Sequence, residues 1–153
     1  FYMEDKDFPS YFYSVDYITG INQVYADLYF ATTGESKLDG FNSLIPESVE
    51  RGKHYCIYPV HCLPGTIAEM KGIEDMKSWS NVVLIPLQHE VGDTIADSGS
   101  FGQVVALVHF TFDTLEDCKE TIDKIHETLL ALDGDGNNLL VNKLDWETKH
   151  IKF

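Results

Sequence analysis

From residue 54 onward the chain is a series of short apolar runs separated by glycine and proline turns, and this pattern restricts the fold more than any other feature. Runs rich in Tyr, Ile, Val and Phe predict strands, and amphipathic runs predict helices. The predicted strands cover residues 54–63, 66–70, 81–89 and 103–112, and the predicted helices cover residues 73–79 and 114–132. The order β-β-α-β-β-α with local turns predicts an α+β fold, mainly an antiparallel sheet with helices packed on one face.

The last helix has the clearest local signals. Thr114 is a good N-cap, and Asp117 follows three residues later in a weak variant of the capping box. Apolar residues recur at helical spacing over residues 115–132, and an Asp-Gly pair at 133–134 closes the pattern. We therefore expect one long amphipathic helix that ends at this pair.

The first third of the chain differs in character. Residues 1–14 form an aromatic-rich, irregular arm, and apolar residues at helical spacing predict a helix over residues 15–34. A connector with Gly and Pro but no clear periodicity leads to the strand-rich region. The predicted division is therefore between an N-terminal part (1–53) and a C-terminal α+β subdomain (54–153).

Acidic residues dominate the charge of the chain: 11 Lys and Arg face 25 Asp and Glu, which gives a formal charge of -14. Such a surface repels phosphate backbones and anionic lipids, so we expect no nucleic acid and no membrane as partner. Arg51 is the only arginine, so a guanidinium cluster cannot hold a phosphate.

The cysteine count and the apolar runs indicate a compartment. Cys56, Cys62 and Cys118 are three, an odd number, and no apolar run reaches the roughly 20 residues needed to cross a bilayer. No signal peptide is recognised at the start of the chain. We therefore expect free thiols and a cytoplasmic location.

Two stretches of the N-terminal part match a known pattern. Residues 16–24 read DYITGINQV, and residues 31–35 read ATTGE. Together they resemble the helix that follows the catalytic loop of ATP-grasp ligases, where a similar Thr-Gly stretch opens the helix and a Gly-Glu pair ends it. The resemblance implies that this helix belongs to the end of an ATP-grasp core.

Five short motifs then follow in the order seen in the C-terminal subdomain of the same family. They are PGTI (64–67), GIEDM (72–76), GDTI (92–95), GQVVALV (102–108) and TLED (114–117). Their order and spacing are similar to those of L-amino-acid-ligase-like and carbamoyl-phosphate-synthase-like proteins of the biotin carboxylase-like superfamily. The resemblance implies that the chain is the C-terminal portion of an ATP-grasp ligase.

The resemblance also implies a chemistry. Enzymes of this family use ATP to convert a carboxylate into an acyl phosphate, which an amine then attacks, while Mg2+ bridges the phosphates. Mg2+ and ATP are thus implied for the full-length ligase. The partners implied for this portion are the upstream ATP-grasp lobes of the same polypeptide.

One departure from the family pattern limits what this portion does alone. The metal- and phosphate-binding Glu-x-Asn-x-Arg loop is expected just before residue 15, but residues 1–14 contain neither Asn nor Arg. The glycine-rich lid and the nucleotide-binding lysines are missing as well. We therefore carry over no catalytic, cofactor-binding or metal-binding residue, and we expect the chain alone to be inactive, with a structural role or a position beside the substrate pocket.

Three residues are candidates for that pocket. His89 and Glu90 end a predicted buried strand beside a turn. Tyr17 belongs with the aromatic residues at 11–13 to a group suited to a small-molecule or domain interface. The alternative for the aromatic group is packing of an N-terminal arm onto the sheet.

Three further groups resemble reactive or metal sites. The alternation of side chains along a strand places His54, Cys56 and Cys62 on one face and His61 on the other. This arrangement favours a buried strand face over a zinc site. In residues 133–138 the sixth position, where a calcium loop needs glycine, is Asn138, so a helix-ending turn is predicted.

Cys118 with His109 or His126 would supply a nucleophile and a base. Because Cys118 lies on the apolar stripe of the last helix, an inert core thiol is the favoured interpretation.

A second class of function stays open. The β-β-α-β-β-α order also suits a free-standing small-molecule-binding module, or a regulatory or dimerisation module without catalysis. A homodimer through a sheet edge is compatible with this order, although the charge of -14 opposes it.

Overall fold

The computed structural model describes residues 11–36 and 54–141, and in these stretches helices and antiparallel strands alternate, which confirms the α+β class. The helices are α1 (Tyr11–Thr19), α2 (Gln23–Thr33), α3 (Ile73–Lys77) and α4 (Leu115–Thr128), with a 3-10 helix at Phe101–Gln103. The strands are β1 (His54–His61), β2 (Gly65–Thr66), β3 (Glu69–Lys71), β4 (Val82–Leu84), β5 (Thr94–Ile95), β6 (Val104–Phe112) and β7 (Leu130–Leu132).

Strand β6 is the centre of the main sheet. It pairs antiparallel with β1 on one side and with β4 on the other, in the order β1-β6-β4. Residues 104–111 are all buried, which explains why β6 is a continuous apolar run instead of an alternating one. One face of β6 packs against α3 and α4 in a core that includes Val108, Phe110, Met76, Ile122 and Ile125.

Two small ribbons flank this sheet, and they change the predicted strands. The expected strand over residues 66–70 divides into β2, which pairs with β5, and β3, which pairs with β7. The expected strand over residues 81–89 is reduced to β4 and a single bridge at Leu87. Pro86 lies between them, and proline has no N–H for a ladder hydrogen bond.

Helix α4 begins as predicted but ends early. The Thr114 side chain accepts from the backbone N–H of Asp117, and the Asp117 carboxylate accepts from the backbone N–H of Thr114, which completes the capping box. The helix ends at Thr128, and Leu130–Leu132 form β7. The prediction of a helix to residue 132 was wrong because the antiparallel partner β3 lies far away in sequence and offers these residues a ladder.

The N-terminal helix is interrupted, in contrast to the single helix predicted over residues 15–34. Gly20 has a φ of 69°, and the Asn22 side chain accepts from the backbone N–H of Tyr25 at 2.9 Å, which starts a second helix. Gly34 caps the end of α2 as predicted, with a φ of 74°. Most of the predicted arm and connector, and the predicted boundary at residue 53, lie outside the described residues.

Candidate functional site

The main sheet has a second face that is not part of the apolar core. Along β1 and β6 the side chains alternate, so Tyr55 and His109 lie on the side opposite Cys56 and Phe110. We call this side the outer face. His109 is fully buried there, at the middle strand of the sheet.

Tyr55 and His109 form a buried polar pair on the outer face. The Tyr55 hydroxyl lies 2.9 Å from His109 Nδ1, and the two rings meet edge to face with centroids 5.7 Å apart. Burial lowers the pKa of His109 to about 4, so the imidazole is neutral at pH 7. A neutral imidazole has one N–H donor and one acceptor nitrogen.

Tyr55 is protonated in this pair. Burial, and to a smaller extent Tyr17, raises the pKa of Tyr55 to about 12, so its hydroxyl keeps the proton. When that O–H donates to Nδ1, the ring proton is on Nε2. Within residues 11–36 and 54–141, His109 Nε2 has no hydrogen-bond partner, so it is an unsatisfied buried polar atom in this part of the chain.

Tyr17 connects this pair to the surface. Its ring lies 5.3 Å from the Tyr55 ring, measured between centroids, at an interplanar angle of 52°. About half of Tyr17 is exposed, at 53%. Tyr17, Tyr55 and His109 thus form a row from solvent to the centre of the sheet, which we call the Tyr17 cluster.

His89 and Glu90 lie in a different place, at the turn after β4. His89 Nε2 donates to the carbonyl oxygen of Gly102 at 2.9 Å, and His89 Nδ1 lies 3.6 Å from Asp93 Oδ2. The backbone N–H of Glu90 donates to the same Asp93 carboxylate at 2.8 Å. His89 and the backbone of Glu90 therefore hold the turn together.

The structure does not bring the three pocket candidates into one contact. The backbone N–H of His89 reaches the carbonyl oxygen of Val105, four positions along β6 from His109. Four residues of a strand span roughly 13 Å. Tyr17 and the His89 turn are thus two separate candidate places, and their role at a substrate pocket stays a prediction.

The reactive side chains that the sequence singled out are divided between the two faces of the main sheet. The Tyr58 hydroxyl lies 2.8 Å from His126 Nε2, whereas His109 is on the outer face with Tyr55. Cys118 is buried on the core side of α4, and burial raises the pKa of its thiol. A buried thiol with a raised pKa fits the core role expected for Cys118.

The predicted turn after β7 is ordered by its own aspartate. The Asp133 carboxylate accepts from the backbone N–H groups of Asp135 and Asn137 at 2.9 and 2.8 Å. The hydrogen bond from the Asn137 side chain, and after it these backbone N–H groups, hold the pKa of Asp133 below its ordinary value. The turn follows β7 directly, so it closes a hairpin-like return instead of a helix.

Two findings concern only residues 11–36 and 54–141. In these stretches no group of three or more His, Cys, Asp or Glu side chains is arranged to hold a metal ion. None of the helices described there has both the length and the apolar character needed to cross a membrane.

The Tyr55–His109 contact is the feature that the sequence did not reveal. The two residues are 54 positions apart, and they meet only because β1 pairs with β6 in one particular register. The available signal is His109 itself, because it is the one ionisable residue in the nine-residue apolar strand β6. An ionisable side chain in such a run indicates either a buried partner or a ligand.

Comparison with solved structures shows a likeness of fold. No protein-family model matches the chain, and no curated protein is similar to it. Among solved structures it is similar to the crystal structure of L-amino acid ligase from Bacillus licheniformis, with a TM-score of 0.59 and 19% sequence identity. The match covers 80% of this chain and 30% of that chain, so the chain spans less than a third of the length of that ligase. At this identity the likeness supports a shared, ATP-grasp-like fold for the matched part and nothing finer.

Proposed function

We propose that this chain is the C-terminal portion of an ATP-grasp carboxylate–amine ligase that works through an acyl phosphate. The observation that carries the proposal is the fold likeness to an L-amino acid ligase over 80% of the chain. The order of the five short motifs in residues 54–153 supports the same assignment. ATP and Mg2+ then bind to the upstream lobes of the polypeptide, and this portion supplies structure and borders the substrate pocket.

The lysines in the described stretches support the proposal that ATP binds to the upstream lobes and not to this portion. A triphosphate is normally held by cationic side chains that converge on it. Here each described lysine instead contacts a nearby side chain. Three form ion pairs with a glutamate: Lys71–Glu69 at 2.9 Å, Lys77–Glu74 at 2.7 Å and Lys119–Glu116 at 3.6 Å. The ammonium of Lys124 lies 4.0 Å from the centre of the Trp79 ring. These lysines are spread over several elements and do not form a phosphate clamp.

The start of α4 gives a second argument against a phosphate site in this portion. A helix N-terminus attracts anions because its first N–H groups are unpaired. In α4 the Thr114 hydroxyl already accepts from the backbone N–H of Asp117, and the Asp117 carboxylate accepts from the backbone N–H of Thr114. Glu116 and Asp117 also place negative charge in the first turn, which repels a phosphate.

The pocket role is assigned to Tyr17, His89 and Glu90 as a proposal. Tyr17 is the best placed of the three, because its half-exposed ring lies beside Tyr55, whose hydroxyl is 2.9 Å from Nδ1 of the buried His109. A half-exposed aromatic ring of this kind suits an uncharged or aromatic part of a substrate. Since neither Tyr55 nor neutral His109 carries charge at pH 7, the cluster does not attract a substrate carboxylate by charge.

We expect the 153-residue chain not to bind Mg-ATP at micromolar concentration, whereas the full polypeptide that contains it binds and hydrolyses it. Calorimetric titration measures the first result. Phosphate release measures the second, and it should require a carboxylate and an amine together. Micromolar nucleotide binding by the isolated chain would contradict the proposal that ATP binds only to the upstream lobes.

The size of the native protein and its thermal stability with amino acids distinguish the alternative function. A native protein of 17.3 kDa in cell extract, with a thermal shift in the presence of an amino acid, would favour a free-standing binding or regulatory module. A larger native protein without phosphate release from any acid and amine pair would remove the ligase activity and leave the fold assignment intact.

We expect Tyr17→Ala in the full polypeptide to raise the KM for one substrate by roughly five- to tenfold, since an aromatic contact contributes about 1 kcal/mol. The kcat should change little, because Tyr17 is not assigned to the chemistry. Tyr25→Ala is the matched control, because Tyr25 is an exposed helical tyrosine on α2 at 58% exposure. Equal effects of the two substitutions would show that Tyr17 has no particular role at the pocket.

A further inference from the structure

Helix α2 exposes apolar side chains instead of charged ones. Of its eleven residues only Asp27 is charged, and only Ala26 is buried. By contrast, α4 has exposed charged side chains in every turn. A surface helix normally turns an apolar stripe to the core and a polar face to solvent, whereas a helix that is apolar all round is covered on all sides. The composition of α2 is therefore that of a covered helix.

The side of α2 opposite the buried Ala26 carries three apolar residues around one carboxylate. Val24, Asp27, Leu28 and Ala31 recur at the i, i+3, i+4 and i+7 spacing, so they lie on one side of the helix. Leu28 is 61% exposed, and Asp27 and Ala31 are exposed as well. We call these four residues the α2 face.

The exposed apolar residues of this helix form a patch. Phe30, at the edge of the α2 face, is 59% exposed, similar to Leu28. Single exposed apolar residues are normal in soluble proteins, but neighbouring ones that form a patch mark an interaction surface. An eleven-residue helix is also only marginally stable in water unless packing holds its face. The α2 face is therefore a contact surface for another part of the assembly.

The charges around this face indicate a basic occupant. Asp16, Asp27 and Glu35 are the charged residues of the stretch 11–36, which contains no Lys, Arg or His. Asp27 lies in the α2 face, and within residues 11–36 and 54–141 it has no ion-pair partner. Covering a carboxylate costs free energy unless a cation pairs with it. The occupant therefore needs a Lys or Arg opposite Asp27, with apolar side chains around it.

Two other occupants fit these charges less well. In a symmetric pair of α2 faces the two Asp27 carboxylates and two chains of charge -14 would come together, and like charges repel. An anionic lipid surface would be repelled by the same stretch, which has no basic residue to offer to its head groups.

We propose that the α2 face is the surface on which an upstream lobe of the same polypeptide docks, through an apolar patch with a Lys or Arg that pairs with Asp27. The inference rests on the proposed function, in which most of the polypeptide lies outside this chain, since the match covers 30% of the ligase. A lobe that holds a triphosphate carries cationic side chains, so it has the charge that this acidic stretch lacks.

Hydrogen–deuterium exchange of the full polypeptide and of the 153-residue chain tests the docking. We expect the backbone amides of Gln23–Thr33 to exchange at least about tenfold more slowly in the full polypeptide, because docking suppresses local opening of α2. The amides of α4 are the internal control, and their exchange should differ little between the two samples. Equal exchange of α2 in the two samples would overturn the proposal. If α2 were slow in both and its rate in the isolated chain depended on concentration, the occupant would be a second copy.

Asp27→Lys in the full polypeptide tests the chemistry of the occupant. Two cations would then meet, so α2 should exchange at least about tenfold faster than in the wild type. Lysine has a higher helix propensity than aspartate, so a weaker helix would not explain the increase. Asp135→Lys is the matched control, because it makes the same change of charge at an exposed position elsewhere in the chain. Unchanged or slower exchange after Asp27→Lys would overturn the assignment of a basic occupant.

Leu28→Ala in the full polypeptide tests the apolar part of the contact. Alanine keeps a high helix propensity, so faster exchange of α2 in this variant reports lost packing. Leu115→Ala is its control, because Leu115 is also a helical leucine with about half of its surface exposed, at 51%. An effect of Leu28→Ala on α2 no larger than that of Leu115→Ala would overturn the docking surface.

Phosphate release by the same full polypeptide separates this proposal from the proposed function. Slow exchange of α2 without phosphate release would support the docking surface and contradict the ligase activity. Phosphate release together with equally fast exchange of α2 in both samples would support the ligase activity and overturn the docking surface.

Discussion

Gly72→Ala is expected to lower the free energy of unfolding by roughly 3–5 kcal/mol, as clashes with fixed backbone do. Gly72 has a φ of 89°, a region that L side chains rarely adopt. A Cβ at this position would overlap the carbonyl oxygen of Thr128 and lie 2.7 Å from its carbonyl carbon and 3.1 Å from the backbone nitrogen of Leu129. Neither backbone can retreat easily, because the adjoining strands β3 and β7 are paired with each other.

Gly92→Ala separates the two causes of this loss. Gly92 has a φ of 98°, but a Cβ there would meet nothing within 4 Å. The free energy of unfolding of this variant should therefore fall by only about 1–2 kcal/mol, which is the cost of a left-handed backbone for an L residue. Urea denaturation of both variants measures the difference. Equal losses would show that the close approach of Gly72 to the end of α4 contributes nothing.

Acidification from pH 7 to pH 5 is expected to remove about 2 kcal/mol of stability through His109 alone. Burial lowers the pKa of folded His109 to about 4, whereas an unfolded histidine has a pKa near 6.5. In this pH window the unfolded state therefore binds a proton that the folded state excludes. Stability is complete above the unfolded pKa and decreases as the pH falls toward 4.

The His109→Asn variant tests this assignment, because asparagine cannot bind a proton in this pH range. Its absolute stability will differ, so the quantity to compare is the change in unfolding free energy between pH 7 and pH 5. The variant should lose about 2 kcal/mol less than the wild type over this window. His61→Asn is the control, because His61 is exposed. If this control also lost about 2 kcal/mol less between pH 7 and pH 5, the effect would not be specific to His109.

The parts of the fold that the sequence predicted are those with local causes. The start of α4 follows from the side chains of Thr114 and Asp117, and β1 and β6 follow from dense apolar runs. The two errors at helix ends have different origins. Asn22 lies inside a helical periodic pattern but caps the start of a second helix, so the pattern hides the interruption. Residues 130–132 form a strand because their partner strand, about sixty positions earlier, pairs with them.

The candidate site was predictable only in part. Tyr17 was recognised because it belongs to an aromatic group, and the structure places it beside Tyr55. The identity of its neighbours depends on the register between β1 and β6, which no short stretch of sequence specifies. His89 was recognised from its place at a strand end, but its donation to Gly102 depends on the return of the chain at the 3-10 helix.

The arrangement β1-β6-β4 has a consequence for how the chain reaches this structure. Strand β1 pairs with a strand that follows it by roughly fifty residues, so a long loop must close before the central ladder forms. Such non-local pairing slows folding, since chain entropy is lost before the contacts compensate for it. Until β6 arrives, β1 presents an unpaired edge, and newly synthesised chains are most exposed to mispairing and aggregation in that interval.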